Sequence, residues 1–212
     1  MPAAHPPETD AADPSGPPPG DTRSRLIAAA SKLLGEGGPD AVTLRGVGER
    51  VGVSRTAPYR HFQGKNDLLT AVAVAEVGRL RDEIVAALEA GGDPPAMLHR
   101  VFTSFIRLGI QRPEHYRLIF GERLTETKDG ELKTAAGALM QMCVAVFADG
   151  QRAGYIRSGD PHDLALLTWS SLHGLITLAI SGHLAQKGYL TDTALARLVT
   201  ELVAGLEPRS AP

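Results

Sequence analysis

The 212-residue sequence has one cysteine, few aromatic residues and almost no net charge. Cys143 alone cannot form an intramolecular disulfide, and no cysteines and histidines have the spacing of a zinc site. A net charge of −2 excludes a uniformly basic nucleic-acid-binding surface but leaves room for a local basic module. We therefore expect no metal and no cofactor, and a reducing compartment.

Long hydrophobic runs are also missing. Residues 1–20 have neither the basic start nor the apolar stretch of a secretory signal. The longest apolar run, Leu164 to Leu184, is interrupted by histidines and hydroxyl residues, so it falls short of the roughly 18 apolar residues of a membrane-spanning helix. The sequence predicts a soluble, cytoplasmic protein with no membrane partner.

Proline is concentrated at one end of the chain, because seven of the fifteen prolines lie in residues 1–20. Such a stretch buries too little apolar surface to offset the entropy lost on ordering, so it predicts a disordered tail. The whole sequence is 43% hydrophobic and 22% charged, which is typical of a globular protein.

From residue 21 onward, apolar residues recur at the helical period and no strand is predicted. Gly37-Gly38-Pro39 ends the first helix. Thr43 is placed to cap a second helix, and Ser54, after a Gly52-Val53 turn, to cap a third that ends near Phe62. Two short helices joined by a glycine-containing turn are typical of a helix-turn-helix.

The remaining helices are predicted at about 65–89, 95–111, from Pro113, at 132–150, at 160–186, and after a Thr191 cap. The fold is therefore predicted to be all-α, with about nine helices. An N-terminal three-helix domain precedes a larger helical domain.

Net positive charge is confined to residues 21–66, which carry eight cations against four acids, a net +4. Residues 1–20 and 67–212 each carry a net −3. This distribution is expected if only the helix-turn-helix meets phosphate. Exposed arginines on any small helical unit would give a similar charge. The charge alone therefore does not identify a DNA-binding domain, and that prediction also depends on the helix-turn-helix motif.

The segment from Thr43 to Ser54, followed by Tyr59-Arg60-His61-Phe62-Gln63-Gly64-Lys65, resembles the DNA-binding domain of the tetracycline-repressor (TetR) family of bacterial regulators. The likeness covers about residues 23–69. Trp169-Ser170-Ser171-Leu172-His173-Gly174 resembles a subgroup with a Trp-x-x-x-His-Gly signature. The resemblance implies a DNA-binding domain at 21–66 and an effector-binding and dimerisation domain at 67–208.

The candidate DNA-binding residues divide into base readers and phosphate binders. Arginine can pair with guanine in bidentate fashion, and hydroxyl, imidazole and ammonium groups suit phosphate oxygens. The candidate base readers are Arg45, Arg55, Thr56, Tyr59 and Arg60, and the candidate phosphate binders are Thr43, Ser54, Tyr59, His61 and Lys65. Thr43 and Ser54 are equally well explained as helix caps alone, and Arg60 as a solvated charge.

Three residues depart from the family pattern. Pro58 stands where leucine is usual and removes a backbone donor, so the recognition helix is predicted to bend or to start late. Gly46 and Gly48 replace residues that are commonly acidic and alanine, and each costs about 1 kcal/mol of helix propensity. We expect a loosely held DNA-binding domain that becomes firmer on binding.

Aromatic and sulfur-containing side chains of the second domain are candidates for an effector pocket, which is typically apolar with a few polar groups. They are Phe102, Phe105, Tyr116, Phe120, Met140, Cys143, Phe147, Trp169 and His173. Residues of this kind at helical spacing are also ordinary core, and His173 is also explained as a hydrogen-bonded core histidine.

The last helices carry more apolar surface than one pocket needs. In the family, the corresponding pair forms a four-helix dimer interface, and this resemblance implies a homodimer on a roughly palindromic double-stranded operator. The candidate interface residues are Leu164, Leu167, Leu175, Leu178, Leu195, Leu198, Leu202 and Leu206.

These expectations describe a ligand-responsive transcriptional regulator, a repressor by resemblance, controlled by a small apolar effector. A helical ligand-binding or scaffolding protein that has lost specific DNA binding is the alternative. An enzyme is disfavoured, because Ser170 and His173, or His162 and Asp163, have no nucleophile elbow, metal spacing or phosphate loop beside them.

Overall fold

The computed structural model describes residues 19–121 and 130–208, and within them it contains ten α-helices and no strand. The all-α prediction is confirmed. The predicted disordered tail lies outside the described residues, except for Pro19 and Gly20, with which α1 begins. The helices are α1 (Pro19–Ala41), α2 (Leu44–Val51), α3 (Ala57–His61), α4 (Lys65–Glu89), α5 (Pro94–Gln111), α6 (Pro113–Phe120), α7 (Gly130–Arg152), α8 (Pro161–Ile180), α9 (His183–Gln186) and α10 (Asp192–Ala204).

The predicted punctuation of the first two helices is confirmed. Helical geometry in α1 is broken at Gly37 and Gly38, and Gly38 has a φ of 68°. The Thr43 hydroxyl accepts a hydrogen bond from the Gly46 backbone N–H at 3.0 Å, which caps α2. Gly52 ends α2 in the left-handed conformation, with a φ of 75°.

Of the two expectations for the third helix, the cap by Ser54 is wrong and the late start is confirmed. Ser54 does not cap it, because α3 begins only at Ala57 and its cap residue is Thr56, whose side chain makes no capping hydrogen bond. Pro58 explains this late start, since proline is tolerated in the first turn of a helix and not further in. The Ser54 carbonyl instead accepts a hydrogen bond from the Ala57 N–H at 3.0 Å in the preceding turn.

The segment 160–186, predicted as one long helix, forms two helices in the structure. Asp160 caps α8 as expected, since its carboxylate accepts from the His162 N–H at 2.8 Å. The chain then turns at Gly182, whose φ of 80° is left-handed and lies outside helical geometry, and α9 follows. This turn went unrecognised because Ser181 and Gly182 interrupt an otherwise apolar sequence only briefly.

By length and composition alone, α7 and α8 are apolar enough to cross a membrane, which the sequence prediction did not recognise. The core helix of a soluble protein meets the same criterion. In α8, Leu164, Leu172 and Ile176 are buried against other helices of the same chain.

Two hydrophobic cores are joined by α4. The first core joins α1, α2 and the start of α4, together with Phe62 and Leu118. The second includes Leu80 and Ile84 of α4 and side chains of α5, α7, α8 and α10. One 25-residue helix therefore belongs to both cores.

Candidate DNA-binding face and interior cavity

The contact between α2 and α3 depends on two of the unusual residues. Pro58 is buried, and a Cβ atom added to Gly48 would lie 2.9 Å from the Pro58 Cγ. Real Cβ atoms are rarely so close to a ring carbon, so the two helices pack at this distance only because residue 48 is glycine. The departures at positions 48 and 58 are therefore complementary in space.

The turn before α3 and the outer side of α3 form an exposed surface, which we call the DNA-facing surface. It consists of Ser54, Arg55, Thr56, Tyr59 and Arg60, all of them exposed, with Tyr59 at 61%. Tyr59 is thus a large aromatic side chain that contributes little to the core of its own domain. The structure thus brings five of the nine predicted DNA-binding residues together.

The cations around this surface differ in their partners. Arg45 Nε lies 2.8 Å from Glu49 Oε1, and Lys65 Nζ lies 3.7 Å from Asp40 Oδ1. The hydrogen bond from Arg45 holds the pKa of Glu49 below its usual value. Across residues 19–121 and 130–208, no carboxylate lies within 4.0 Å of Arg55 or Arg60. Within this part of the chain, these two guanidinium groups are therefore free of a direct ion pair, although the Glu49 carboxylate interacts with Arg55 at longer range.

The end of α3 is fixed from behind by α1. Phe62 is buried, and the Arg23 guanidinium lies 5.4 Å from its ring centroid. Half-buried His61 lies beside it, with ring centroids 6.5 Å apart. Arg25 donates to the Val51 carbonyl at 2.9 Å and so satisfies the end of α2. Nothing in the sequence pattern distinguished Arg23 and Arg25 from other surface arginines.

A cavity in the second domain is enclosed by α4, α5, α7 and α8 and by Phe120 of α6. Its volume, counted as the space open to the centres of water molecules, is about 110 Å³. None of its lining residues is charged. The lining comprises Val77, Ile84, Val101, Phe102, Phe105, Phe120, Ala136, Leu139, Met140, Cys143, Phe147, Ala165, Thr168, Trp169 and Leu172.

Seven of the nine predicted pocket residues line this cavity, and Tyr116 and His173 do not. The sequence analysis missed the aliphatic and small lining residues, since their periodicity is that of any core helix. Tyr116 and His173 instead line a more open groove beside the cavity. This outer groove also includes Arg117, Thr177 and Ser181, and it shares Phe120 and Trp169 with the cavity.

Tyr116 and His173 form a close polar pair within a group of rings. The Tyr116 hydroxyl lies 2.5 Å from His173 Nδ1. The His173 ring centroid lies 4.0 Å from that of Trp169 and 4.4 Å from that of Phe120. Burial lowers the pKa of His173 to about 4, so its imidazole is neutral at pH 7.

A second polar group lies where α1, α4 and α6 meet, and we call it the Glu76 cluster. It consists of Ser31, Glu76, Arg112 and His115, and both Glu76 and His115 are buried. Arg112 makes two hydrogen bonds to the Glu76 carboxylate, at 2.6 and 3.1 Å. The Ser31 hydroxyl lies 2.8 Å from His115 Nε2. Burial, and next the Arg112 charge, lowers the pKa of His115.

The sequence analysis gave the Glu76 cluster no role. Arg112 and His115 are close together in sequence, but Ser31 and Glu76 are distant from them and carry no motif. A glutamate at a core position of α4 was the one available signal, because an acidic residue is seldom buried without a partner.

Six of the eight predicted interface leucines are at least partly exposed, and two are buried. Leu167 and Leu178 of α8 are 62% and 43% exposed, and Leu175, Leu195, Leu198 and Leu202 are half-buried. Leu164 and Leu206 are only 3% and 5% exposed. These two side chains are buried in the second core of their own chain, so they are not available to a partner.

The short helices α2 and α3, joined by a glycine-containing turn and followed by a larger all-helical domain, define the class of helix-turn-helix DNA-binding proteins. Comparisons with known proteins agree. The family model of bacterial regulatory proteins, tetR family, matches residues 26–72, and the model of the tetracyclin repressor-like C-terminal domain matches residues 98–202. The chain belongs to the TetR family of transcriptional regulators, and its N-terminal domain is a DNA-binding domain.

Individual relatives cover most or about half of the chain. An uncharacterized HTH-type transcriptional regulator of Mycobacterium bovis is 26% identical over 88% of this chain and 93% of its own. The class G tetracycline repressor protein of Vibrio anguillarum is 34% identical over 53% of this chain and 52% of its own. The structure of a Rhodococcus sp. RHA1 protein of unknown function superposes with a TM-score of 0.77 at 27% identity, covering 87% and 95%. The Trp-x-x-x-His-Gly subgroup assignment stays a prediction.

Proposed function

We propose that this protein is an effector-controlled repressor that binds a roughly palindromic operator as a homodimer and leaves it when a small apolar molecule enters the cavity. The observation that carries the proposal is the course of α4. This helix begins at Lys65, beside the DNA-facing surface, and lines the cavity with Val77 and Ile84. A change of cavity shape therefore acts on an element that also positions the DNA-binding domain.

DNA recognition is assigned to the DNA-facing surface. Arg55 and Arg60 are exposed and form no ion pair within 4.0 Å in the described parts of the chain, so they are best placed to read guanine. Lys65, Thr43 and His61 carry ammonium, hydroxyl and imidazole groups that suit phosphate contacts, and Thr43 and Lys65 stand at the starts of α2 and α4. Arg45 joins the base readers once DNA has drawn it away from Glu49.

Release follows from linkage between the two sites. An effector that prefers the DNA-free conformation weakens DNA binding by the same factor by which DNA weakens effector binding. Phe120, at the end of α6, lines the cavity, while His115 of the same helix contacts Ser31 of α1. A shift of α6 on effector entry is thereby passed to the DNA-binding domain.

The homodimer is assigned to the exposed side of α8. Leu167 and Leu178 lie three helical turns apart on one side, and exposed Ser171 and Gly174 lie between them. Two copies joined along this side would present two DNA-facing surfaces to successive major grooves. A cytoplasmic location is part of the same proposal.

The test is DNA footprinting of the purified protein on genomic fragments, with and without extracted metabolites, followed by variants at the site found. Arg55→Ala is expected to relax base preference, at a cost of about 1 to 3 kcal/mol at one position. Lys65→Ala is expected to weaken all sequences alike and to lower the salt dependence by about one phosphate contact.

Arg81→Ala is the matched control for Arg55→Ala. Arg81 is an exposed arginine that pairs with Asp82, and it lies about 24 Å further along α4 than Lys65, from the helical rise. Its loss is expected to leave base preference unchanged. If neither Arg55→Ala nor Lys65→Ala alters binding more than Arg81→Ala does, the chain is instead a ligand-binding or scaffolding protein without specific DNA recognition.

A further inference from the structure

The cavity lining limits the charge of its ligand. The only polar side-chain groups among the lining residues are the Thr168 hydroxyl, the Cys143 thiol and the Trp169 indole N–H. Burial raises the pKa of Cys143, so the thiol stays protonated. A carboxylate or ammonium group placed here would lose its hydration without gaining a counter-ion, which is strongly unfavourable. The part of the ligand inside the cavity must therefore be uncharged.

The cavity volume limits the size of that part. The space of about 110 Å³ is slightly smaller than an engineered apolar cavity of about 150 Å³ that holds benzene. The part of a ligand inside the cavity is therefore at most about as large as one six-membered ring. Aromatic side chains, among them Phe102 and Phe147, form much of that wall.

One buried polar atom lies directly behind the wall. His173 packs against Trp169 and Phe120 at 4.0 and 4.4 Å, and against Phe105 at 5.2 Å, and all three of these rings line the cavity. His173 Nε2 is buried and has no hydrogen-bond partner among the described residues. A buried ring nitrogen without a partner is costly, so it calls for an explanation.

The other ring nitrogen determines what Nε2 can offer. Tyr116 Oη lies 2.5 Å from His173 Nδ1 and 3.5 Å from the His173 backbone oxygen. Because the first contact is much shorter and a phenol is a stronger acid than a neutral imidazole N–H, we assign the phenol as the donor and Nδ1 as the acceptor. The single proton of the neutral imidazole is then on Nε2. His173 thus holds a buried N–H donor that points away from Tyr116 and needs an acceptor.

We propose, on the basis of the function proposed above, that the effector is an uncharged molecule with a body about the size of one six-membered ring and one hydrogen-bond-accepting oxygen, which binds His173 Nε2–H. Phe120 borders both the cavity and the outer groove, so its ring would have to rotate for the oxygen to reach Nε2. His173 then sets specificity for an oxygen-bearing ring over a hydrocarbon, and the apolar lining rejects acids and amines.

The test uses three ring compounds that differ in one group: tetrahydropyran, cyclohexane and cyclohexanecarboxylate. Binding is followed in the full-length protein at pH 7 by the fluorescence of Trp169, the only tryptophan of the sequence and a lining residue. Tetrahydropyran and cyclohexane are expected to bind saturably and the carboxylate not to bind. His173→Phe is expected to weaken tetrahydropyran binding by about tenfold and to change cyclohexane binding less than twofold.

The cyclohexane affinity of the variant is the control for an intact cavity. If His173→Phe does not fold, Tyr116→Phe replaces it, because loss of the phenol removes the group that keeps the imidazole proton on Nε2. It should lower the affinity ratio of tetrahydropyran to cyclohexane severalfold. The inference is overturned if the carboxylate binds as well as tetrahydropyran, if no ring compound binds, or if the ratio is unchanged in the variant that folds. Operator binding, measured on the same sample, tests the regulator function separately.

Discussion

Arg112 binds both oxygens of the buried Glu76 carboxylate, with its Nη2 2.6 Å from Oε1 and its Nε 3.1 Å from Oε2. Glu76 belongs to α4, and Arg112 immediately precedes α6. Arg112 Nη2 also lies 3.2 Å from the Ser31 hydroxyl of α1. One ion pair therefore joins α4, which follows the DNA-binding domain, to the start of α6, whose Phe120 lines the cavity.

Glu76→Gln is expected to destabilise the protein by about 2 to 3 kcal/mol. The cost of leaving one partner of a fully buried pair alone is about 3 to 5 kcal/mol, but the Arg112 side chain is 30% exposed, so solvent recovers part of it. Urea unfolding at pH 7 measures the change. Glu89→Gln, at the exposed end of the same helix, is the control and should have little effect. Equal stability of the two variants would show that the Glu76 pair contributes nothing net.

The lowered pKa values of His173 and His115 predict a stability that falls as the pH falls. The pKa of His173 is about 4 in the folded protein against an ordinary 6.5. Between these values the unfolded chain binds a proton that the folded chain does not. The stability due to neutral His173 is thus fully present above pH 6.5 and is lost as the pH falls towards 4. Burial lowers the pKa of His115 in the same direction.

Urea unfolding at pH 7.0 and pH 5.0 measures this dependence. His173→Phe should reduce the difference between the two pH values, since phenylalanine binds no proton. His162→Phe, at an exposed position of α8, should leave the difference as in the wild type. A wild-type protein as stable at pH 5.0 as at pH 7.0 would contradict the prediction.

How far the sequence predicted the structure depended on whether a feature is local. The Thr43 and Thr191 caps and the Gly37-Gly38 break were predictable because each depends on residues within one helical turn. The Glu76 cluster was not, since Ser31 and His115 are 84 residues apart in sequence. No local pattern records such a contact.

The candidate sites show the same division. The exposed side of α3 followed from a short motif, so its residues were found together. The cavity was only partly found, because a lining Leu139 and a core Ile176 look alike in a periodic helix. Leu164 and Leu206 were placed in an interface for the same reason, since the period of a helix does not say which apolar side meets its own core.

Gly48→Ala is expected to destabilise the DNA-binding domain although alanine is the better helix former. The new Cβ would lie 2.9 Å from Pro58 Cγ. Overpacking of this kind costs about 1 to 3 kcal/mol, and the upper part of that range exceeds the roughly 1 kcal/mol that alanine gains in helix propensity. The melting temperature should fall. In a Pro58→Ala background the ring is absent, so the same substitution should raise it.

Gly78→Ala is the matched control for this prediction. Gly78 lies inside α4, and a Cβ added there meets no atom within 4 Å. Alanine should therefore stabilise the protein by about 0.5 to 1 kcal/mol through helix propensity alone. Stabilisation by both Gly48→Ala and Gly78→Ala would show that α2 and α3 adjust without cost, and that the loosely held domain expected from the glycines is the better description.

Leu167→Glu and Leu178→Glu together are expected to convert a dimer into a monomer. Two carboxylates would be placed on the exposed side of α8 where the two copies are proposed to meet, and they would oppose their counterparts across the two-fold axis. Light scattering after size-exclusion chromatography measures the mass. Leu166→Glu, also at an exposed leucine but about 100° around the helix from Leu167, is the control and should leave the mass unchanged. A monomer has one DNA-facing surface, so operator affinity should fall with the mass, and a double variant that remains dimeric would place the interface elsewhere.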